Sequence, residues 1–177
     1  MRPSAKEPAE GARIRDVGPG DLGAVAAILA HYVLHTAVTF DEVPPTPEEW
    51  RERVAHYTGL GLPFLVAEVG GRVVGYAYAS PWRPKAAYRL TVEETIYLDP
   101  AWTGRGLGRP LLRALLDRCA AAGLRQAVAV IVDSEAPASV ALHRSVGFRP
   151  VGRLTGVGYK HGRPLDTLLL QCELAAD

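Results

Sequence analysis

Residues 91 to 110 have the sequence TVEETIYLDPAWTGRGLGRP, which places a β-rich run directly before a glycine-rich loop. Glycines at 104, 106 and 108 allow tight turns in which several backbone N–H groups converge. The apolar repeat from Leu107 to Ala122 predicts a helix, whose N-terminus adds a partial positive charge. The stretch therefore indicates a strand, an anion-binding loop and a helix, although steric demands alone also produce such turns.

Two familiar phosphate motifs are excluded in this loop. A P-loop requires Gly-Lys-Ser/Thr, which residues 103 to 110 lack. A dinucleotide-binding GxGxxG motif would need glycine where Arg109 stands. Arg105 and Arg109 still favour a negatively charged ligand, and phosphate is the predicted guest.

Around this stretch the chain alternates between strand and helix patterns. Strands are predicted near residues 14–17, 64–69, 72–79, 89–98 and 127–132 and on both sides of the turn 161–164, and helices from Leu22, from Pro47, over 107–122 and over 137–146. Asp21 and Thr46 are the predicted helix N-caps, and AVAVIV at 127–132 is predicted to be buried on both faces. Residues 1 to 11 lack periodicity and are predicted to be flexible. Residues 12 to 174 form one predicted α/β (α+β) domain with a mixed central sheet.

Bulk composition narrows the function classes. A net charge of +1 provides no surplus of cations for a nucleic-acid backbone. Cys119 and Cys172 fit no disulfide framework and are predicted to be buried thiols. The N-terminus lacks an apolar signal region, and no apolar run approaches the roughly 20 residues that span a bilayer. We predict a cytoplasmic protein that binds neither nucleic acid nor membrane.

The larger pattern is more specific than the loop. The order of strand, Asp99-Pro100, glycine loop, amphipathic helix, buried strand and SVALHRSVGF (139–148) resembles the acetyl-CoA-binding core of the GCN5-related N-acetyltransferases. Four further segments resemble its phosphinothricin N-acetyltransferase branch: HYVLHTAVTF (31–40), YASPWRPKAAY (78–88), TVEETIYL (91–98) and GYKHGRPLD (158–166). The resemblance covers about residues 12 to 174 and implies a fold of about seven strands and four helices.

The resemblance also implies roles for individual residues. The pyrophosphate loop falls on Gly104, Arg105, Gly106, Leu107, Gly108 and Arg109, and backbone groups at Ile96, Tyr97 and Leu98, with Ser139 beyond, would hold the rest of acetyl-CoA. The Leu98 N–H is the implied donor to the thioester oxygen. The family's first loop position, usually Gln or Arg, is Thr103 here, and a frequent Asn is replaced by Ala136. No metal is expected.

The branch's catalytic glutamate falls on Glu93, and the chemistry supports that choice. An amine arrives as ammonium and must lose a proton before it attacks a thioester, and a partly buried glutamate suits this task. Strand alternation places Glu93 on one face of its strand with Thr95 and Tyr97. Glu94 falls on the apolar face, where a carboxylate is costly unless it is paired, near an edge or displaced by a bulge.

A second catalytic candidate is His143, at a position where many relatives have a tyrosine. Its reference pKa of ~6.5 suits proton donation to the departing thiolate. The alternative is a surface or substrate-facing histidine. We predict Glu93 as the general base and His143 as the general acid.

Substrate recognition is assigned to a basic and aromatic cluster just before the catalytic strand. The resemblance implies that Arg83, Lys85 and Tyr88 bind an acidic amino acid analogue; the alternative is a solvated loop. Phe40 and Tyr97 would supply apolar walls, unless Phe40 belongs to the core. Lys160 and His161 could come from the same or a neighbouring subunit, because relatives suggest a homodimer.

Three alternatives remain open at this point. His31 and His35 have the i, i+4 spacing of metal ligands, but no HExxH motif or third ligand accompanies them. Another small amine could be the acetyl acceptor, since the basic residues differ in order from the branch's usual arrangement. A non-catalytic acyl-CoA-binding module is the alternative outside the enzymes.

Overall fold

A computed structural model describes residues 11 to 174; apart from Gly11, the N-terminal segment predicted to be flexible lies outside the described residues. The elements in chain order are β1 (Arg13–Asp16), α1 (Leu22–His35), α2 (Pro47–Gly59), β2 (Phe64–Val69), β3 (Arg72–Pro81), β4 (Thr91–Leu98), α3 (Gly108–Ala121), β5 (Gln126–Val132), α4 (Pro137–Ser145), β6 (Arg149–Lys160) and β7 (Arg163–Glu173). The predicted α/β class, with seven strands and four helices among the described residues, is confirmed.

The strands form one mixed sheet in the order β1-β2-β3-β4-β5-β7-β6. β4 and β5 are parallel, with α3 between them in the chain, whereas the other neighbouring strands are antiparallel. The parallel ladder joins only residues 91–93 to residues 126–128. Beyond Glu93 the two strands part, and this gap is the central feature of the molecule.

Each face of the sheet carries its own apolar cluster. Trp50 of α2 packs with Phe64 and Tyr76 on one face, where α1 also lies. Leu111 and Leu115 of α3 pack on the other face with many smaller side chains. Burying one such large side chain contributes about 1.5–3 kcal/mol. The gap between β4 and β5 therefore connects two separately packed layers.

Two of the predicted helix starts can be compared directly. Thr46 and Glu49 form the predicted capping box, because the Glu49 amide donates to Thr46 Oγ1 and the Thr46 amide donates to the Glu49 carboxylate. Asp21 precedes α1, but its side chain does not cap the helix. Its carboxylate accepts hydrogen bonds from both terminal nitrogens of Arg15 and from the Gly18 amide. The prediction of a side-chain cap at Asp21 was wrong because a bidentate arginine competes for both oxygens.

The prediction that residues 127–132 are buried on both faces fails at one position. Val130 is 39% exposed, although its neighbours in β5 are buried. Val130 lies beyond the last residue that pairs with β4, so at this position β5 pairs only with β7, and the Val130 side chain lines the cleft. Cys119 and Cys172 are free and buried, as predicted.

β4 starts later than the predicted strand at 89–98. Residues 86–88 form a short 3-10 turn, and the strand begins at Thr91. Between residues 11 and 174, no helix is both long enough and apolar enough to span a bilayer.

Candidate active site

A cleft of about 850 Å³ occupies the gap between β4 and β5. Its walls come from β4, the end of β5, the loop at 103–109, α4, and residues 38–41 after α1. The loop and α4 lie on the α3 side of the sheet, and residues 38–41 follow α1 on the other side. The cleft can therefore receive one ligand from each face and bring them together at the gap.

The backbone of β4 presents polar groups to this gap. The amide of Asp99, directly after β4, donates to the carbonyl of Val74 in β3, so residues 74 and 99 form a hydrogen-bonded pair between the two strands. Because such pairs alternate along an antiparallel ladder, the N–H and C=O groups of Ile96 and Leu98 point away from β3. The Tyr32 hydroxyl donates to the Leu98 carbonyl at 2.6 Å. The Leu98 N–H thus faces the gap, where the resemblance requires a donor.

The glycine loop has the conformation that its composition predicts. Gly104 and Gly106 have φ angles of +71° and +78°, which side-chain-bearing residues rarely adopt. A Cβ atom on Gly108 would lie 3.1 Å from Leu142 of α4, so this glycine permits close packing between α3 and α4. The loop therefore turns tightly and begins α3 directly beside the cleft.

Most of the predicted cofactor-binding residues line the cleft, and two do not. Those that line it are Ile96, Tyr97, Leu98, Gly104, Gly106, Gly108, Arg109 and Ser139. Arg105 instead stacks over Trp102, with its guanidinium carbon 4.6 Å from the ring centroid. Leu107 is buried in the apolar cluster under α3. Only main-chain groups of these two residues could serve an anion in the loop.

Glu93 lies half-buried in the cleft wall on the face of β4 that packs toward α1 and α2. Burial raises the pKa of its carboxyl, and the charge of Glu94 raises it further. Both causes disfavour the ionised form. A raised pKa lets this carboxylate take up a proton more readily, as a general base must.

Glu94 lies on the opposite face of β4 and is paired rather than stranded. Its Oε1 is 2.6 Å from His143 Nε2, and both side chains are 2% exposed. Burial lowers the pKa of His143, but the hydrogen bond and the charge of Glu94 outweigh it, so the net pKa is raised. Pairing with His143 is therefore how the fold accommodates the Glu94 carboxylate on the apolar face of β4.

The substrate side of the cleft is largely aromatic. Tyr32, Tyr97 and Phe40 line it, and the rings of Tyr32 and Tyr97 lie 5.1 Å apart. Phe40 is 39% exposed and belongs to the wall of the cleft rather than to the core. Burial raises the pKa of Tyr97 to about 12, so its hydroxyl stays protonated.

Lys160 holds this wall in place, a role that the sequence did not reveal. Its Nζ donates to the Val33 carbonyl at 3.0 Å and to the Thr39 carbonyl at 2.9 Å, both from the same chain. The lysine is 5% exposed, and burial lowers its pKa. One ammonium thus ties the last turn of α1 to the segment that carries Phe40. The chain has only three lysines among its 20 basic residues, and that scarcity was the available signal.

The predicted substrate-binding cluster is not brought into the cleft. Arg83, Lys85 and Tyr88 are exposed and lie outside its lining residues. Arg83 stacks on Trp82 at 5.2 Å, and Tyr88 borders a separate hollow of about 280 Å³. These residues lie between β3 and β4, at the end of β4 that carries Glu93. Their role in binding stays a prediction.

No metal centre accompanies the cleft in the described part of the chain. Residues 11 to 174 contain no group of three His, Cys, Asp or Glu side chains that could hold an ion. The His31 and His35 rings lie 5.2 Å apart on the exposed side of α1.

Comparison with known proteins agrees with this architecture. Residues 30–148 match the model described as "Acetyltransferase (GNAT) family". A phosphinothricin N-acetyltransferase from Alcaligenes faecalis is 45% identical over 163 residues, which cover 92% of this chain and 83% of that protein. An L-methionine sulfoximine/L-methionine sulfone acetyltransferase from Salmonella typhimurium is 39% identical over 164 residues, covering 91% of this chain and 94% of that protein.

Solved structures show the same similarity. The phosphinothricin acetyltransferase of Sinorhizobium meliloti in complex with acetyl-CoA superposes with a TM-score of 0.89 at 44% identity, covering 93% of this chain and 89% of that one. An acetyltransferase from Salmonella typhimurium with its cofactor acetyl-CoA gives a TM-score of 0.90 at 37% identity, covering 94% and 95%.

Proposed function

The chain belongs to the acetyltransferase (GNAT) family and is an N-acetyltransferase that uses acetyl-CoA; on that premise we propose that it acetylates the α-amino group of a small amino acid analogue by direct transfer. The first candidates are phosphinothricin and methionine sulfoximine or sulfone, the substrates named for its relatives. One observation carries the proposal: Glu93, with a raised pKa, lies in a cleft that also contains a glycine loop and a free strand edge.

Direct transfer is supported by the two-sided cleft. Acetyl-CoA supplies the acetyl thioester, and the loop residues Gly104, Gly106 and Arg109 would hold its pyrophosphate through backbone N–H groups and one guanidinium. The cysteines Cys119 and Cys172 are buried outside the cleft lining, so neither offers a thiol for a covalent intermediate. Initial-rate kinetics should show intersecting lines for a ternary complex, and parallel lines would contradict direct transfer.

Three polar groups of the chain have tasks in this scheme. Glu93 takes a proton from the ammonium group on the α1 side, and the freed amine attacks across the gap. The Leu98 N–H stabilises the negative charge that develops on the thioester oxygen. His143, on the α4 side, provides the proton that the departing thiolate needs. These roles are consistent with the opposite faces on which Glu93 and His143 lie.

A second substrate class follows from the charges of the cleft. Its lining includes the carboxylates Asp41, Glu93 and Glu135 beside the Glu94–His143 pair, and among the described residues only Arg109 adds a cation outside that pair. Because Arg83 and Lys85 lie outside the lining, an acidic substrate would have to reach them at the rim. A small cationic amine without an acidic group is therefore the alternative acceptor. The Arg83→Ala/Lys85→Ala variant should raise KM only for acidic substrates.

We also propose that the protein is a homodimer. β6 is an edge strand, yet it exposes the apolar side chains of Val151, Leu154, Val157 and Tyr159. An exposed apolar edge strand favours association with a second copy of the chain. Sedimentation equilibrium should give twice the chain mass, and the Val157→Asp/Tyr159→Asp variant should give the monomer mass. A monomeric wild type would refute this proposal. A cytoplasmic location stays a prediction.

A thiol-release assay tests the proposed function. Acetyl-CoA is mixed with phosphinothricin, methionine sulfoximine, methionine sulfone, common amino acids or spermidine, and free thiol is followed over time. Turnover should be greatest with the first three compounds. Preference for spermidine would favour the alternative acceptor, and acetyl-CoA binding without turnover would favour a binding module. The exposed substitution Glu52→Gln serves as the matched control and should leave the rates unchanged.

A further inference from the structure

The buried Glu94–His143 pair has a feature that the proposed function leaves unused. Glu94 on β4 and His143 on α4 are 49 residues apart in the chain and meet at 2.6 Å. Both line the cleft on the side of the glycine loop. The scheme above assigns a proton to His143 and gives Glu94 no task. A buried carboxylate beside the histidine nevertheless affects the orientation and the protonation of the imidazole ring.

Hydrogen-bonding rules fix how many protons the pair holds. His143 Nδ1 is 2.7 Å from the Ser139 carbonyl oxygen, which can only accept, so Nδ1 carries a proton. The short contact between Nε2 and Glu94 Oε1 then requires one proton between them, because two lone pairs would repel. Because the pKa of His143 is raised by its contact with Glu94, that proton lies on Nε2. The pair is therefore an imidazolium beside a carboxylate and has no net charge.

The second carboxylate oxygen of Glu94 is the part of the pair that lacks a hydrogen bond. Glu94 Oε2 is fully buried and has no hydrogen-bond partner among the described residues. Buried carboxylate oxygens are normally hydrogen-bonded, so an unpartnered one beside the cleft is a position for a donor that arrives with the ligands. The thiol of the product is such a donor once sulfur has taken its proton.

We propose that Glu94 is a positioning residue that keeps the His143 ring oriented and doubly protonated, so that His143 acts as the acid for the departing thiolate. This inference rests on the proposed function and deepens it. As the nitrogen–carbon bond forms and the carbon–sulfur bond breaks, sulfur keeps the electron pair and takes the Nε2 proton. The pair is left as a carboxylate beside a neutral imidazole that retains its Nδ1 proton.

The proton balance closes over one turnover. The ammonium nitrogen loses two protons on its way to the amide, and Glu93 passes them to solvent. The pair gives one proton to sulfur and regains one from solvent. One proton is therefore released for each acetyl group transferred, as the reaction of an ammonium substrate with a thioester requires.

A different reading of the same residues is a Ser–His–Glu nucleophilic triad, and the geometry opposes it. Ser139 Oγ is 3.4 Å from His143 Nδ1, but that nitrogen already donates to the Ser139 carbonyl. A base must present a free lone pair to the hydroxyl. Ser139 is therefore not activated, and the pair is directed toward a leaving group rather than toward a nucleophile.

Two ionisable groups that face the pair stay protonated near neutral pH. Cys119 faces it from α3, and burial together with the charge of Glu94 raises the pKa of that thiol to about 12. Tyr97 of β4 also has a pKa of about 12. Phe148 packs its ring at 5.1 Å from the imidazole. Further charged groups in the cleft lining include Glu93, on the other face of β4, and Arg109, at the start of α3.

The decisive variant is Glu94→Gln, which keeps the shape but removes the carboxylate. Nitrogen NMR of the imidazole, recorded without substrates near neutral pH, should show both ring nitrogens protonated in the wild type and only Nδ1 protonated in the variant. The alkaline limb of the kcat profile should shift to lower pH, with kcat falling roughly 10-fold to 100-fold at about pH 8. Thermal melting and acetyl-CoA affinity report whether the fold is intact.

A double-mutant comparison separates this role from a purely structural one. His143→Gln should remove the alkaline limb, and adding Glu94→Gln should lower kcat no further, because residues that act as one unit are not additive. Multiplicative losses, or an unchanged alkaline limb in Glu94→Gln, would overturn the proposal. If Glu94→Gln fails to fold, Glu94→Asp is used instead, and this variant must retain the alkaline limb of the kcat profile. Turnover by the wild type and its loss in Glu93→Gln test the proposed function independently of these results.

Discussion

Glu93 and Glu94 are neighbours in the chain but have opposite environments. Glu94 is buried on the α3 side with a histidine partner at 2.6 Å, whereas Glu93 lies half-buried on the α1 side and faces the cleft. Pairing makes Glu94 part of the fold. Burial and the charge of Glu94 raise the pKa of Glu93, so the ionised form of Glu93 is disfavoured in the fold. The charge of Glu94 is neutralised by its partner, whereas Glu93 is maintained at the expense of stability.

The substitution Glu93→Gln should give the largest effect and confirm the chemical half of this contrast. General-base catalysis is typically worth about 10²–10⁴ in rate, so kcat should fall by that factor across a pH series. A carboxyl with a raised folded pKa destabilises the fold above its unfolded pKa, so the melting temperature at neutral pH should stay the same or rise. Normal turnover in this variant would eliminate Glu93 as the base.

The substitution Glu94→Ala should test the structural half through stability. Removing one partner of a buried pair costs roughly 3–5 kcal/mol in free energy of unfolding, measurable in urea at about pH 6. Because the folded pKa of His143 is raised, its contribution is present below the unfolded value of about 6.5 and disappears as pH rises through the folded pKa. The difference from wild type should therefore shrink with rising pH. A loss no larger than that of Glu93→Ala would contradict the contrast.

Substitution of Lys160 extends the comparison from the two carboxylates to the binding of the amino substrate and of acetyl-CoA. Lys160→Met removes both hydrogen bonds that tie Val33 and Thr39 together. We expect the KM of the amino substrate to rise roughly tenfold, since a lost buried hydrogen bond costs about 1–3 kcal/mol. The KM of acetyl-CoA should change little, because its loop lies on the other face. His161→Asn, in the exposed turn with φ of +52°, is the matched control. Equal changes in both KM values would refute separate control of the two sides.

A smaller effect is expected at Gly158 in β6. A Cβ atom there would lie 2.2 Å from the Phe40 ring, so Gly158→Ala must displace the aromatic wall. The substrate KM should rise by a few-fold, with kcat nearly unchanged. Gly152→Ala in the same strand meets nothing closer than 3.9 Å and should leave both constants unaltered. If the two variants behave alike, the position of Phe40 does not shape the substrate side.

Local patterns were sufficient for much of the fold. The capping box at Thr46, the two-glycine hairpin at 70–71 and the stripe that buries Cys119 depend on neighbours a few residues apart, and each appears as predicted. The cap at Asp21 failed because Arg15 approaches from β1 and takes the carboxylate. The prediction for Val130 failed because its exposure depends on where β4 and β5 diverge.

The candidate site was likewise predictable from the sequence only in part. Alternation along β4 separated Glu93 from Glu94, and the loop glycines indicated where an anion would bind. The sequence could not show that Arg105 stacks on Trp102 or that Arg83 and Lys85 stay outside the cleft, because a surface cation's position depends on what packs around it.

By itself, the sequence determined the order of the elements, the glycine loop and the face of β4 that carries Glu93, because these depend on periodicity and on local backbone preferences. The family followed from the resemblance of its motifs. Only the tertiary structure decided that Glu94 meets His143 and that Lys160 meets Val33 and Thr39, over separations of 49, 127 and 121 residues. A buried charge needs a partner, but any distant residue of the right chemistry can supply it. Only the path of the folded chain selects which residue that is.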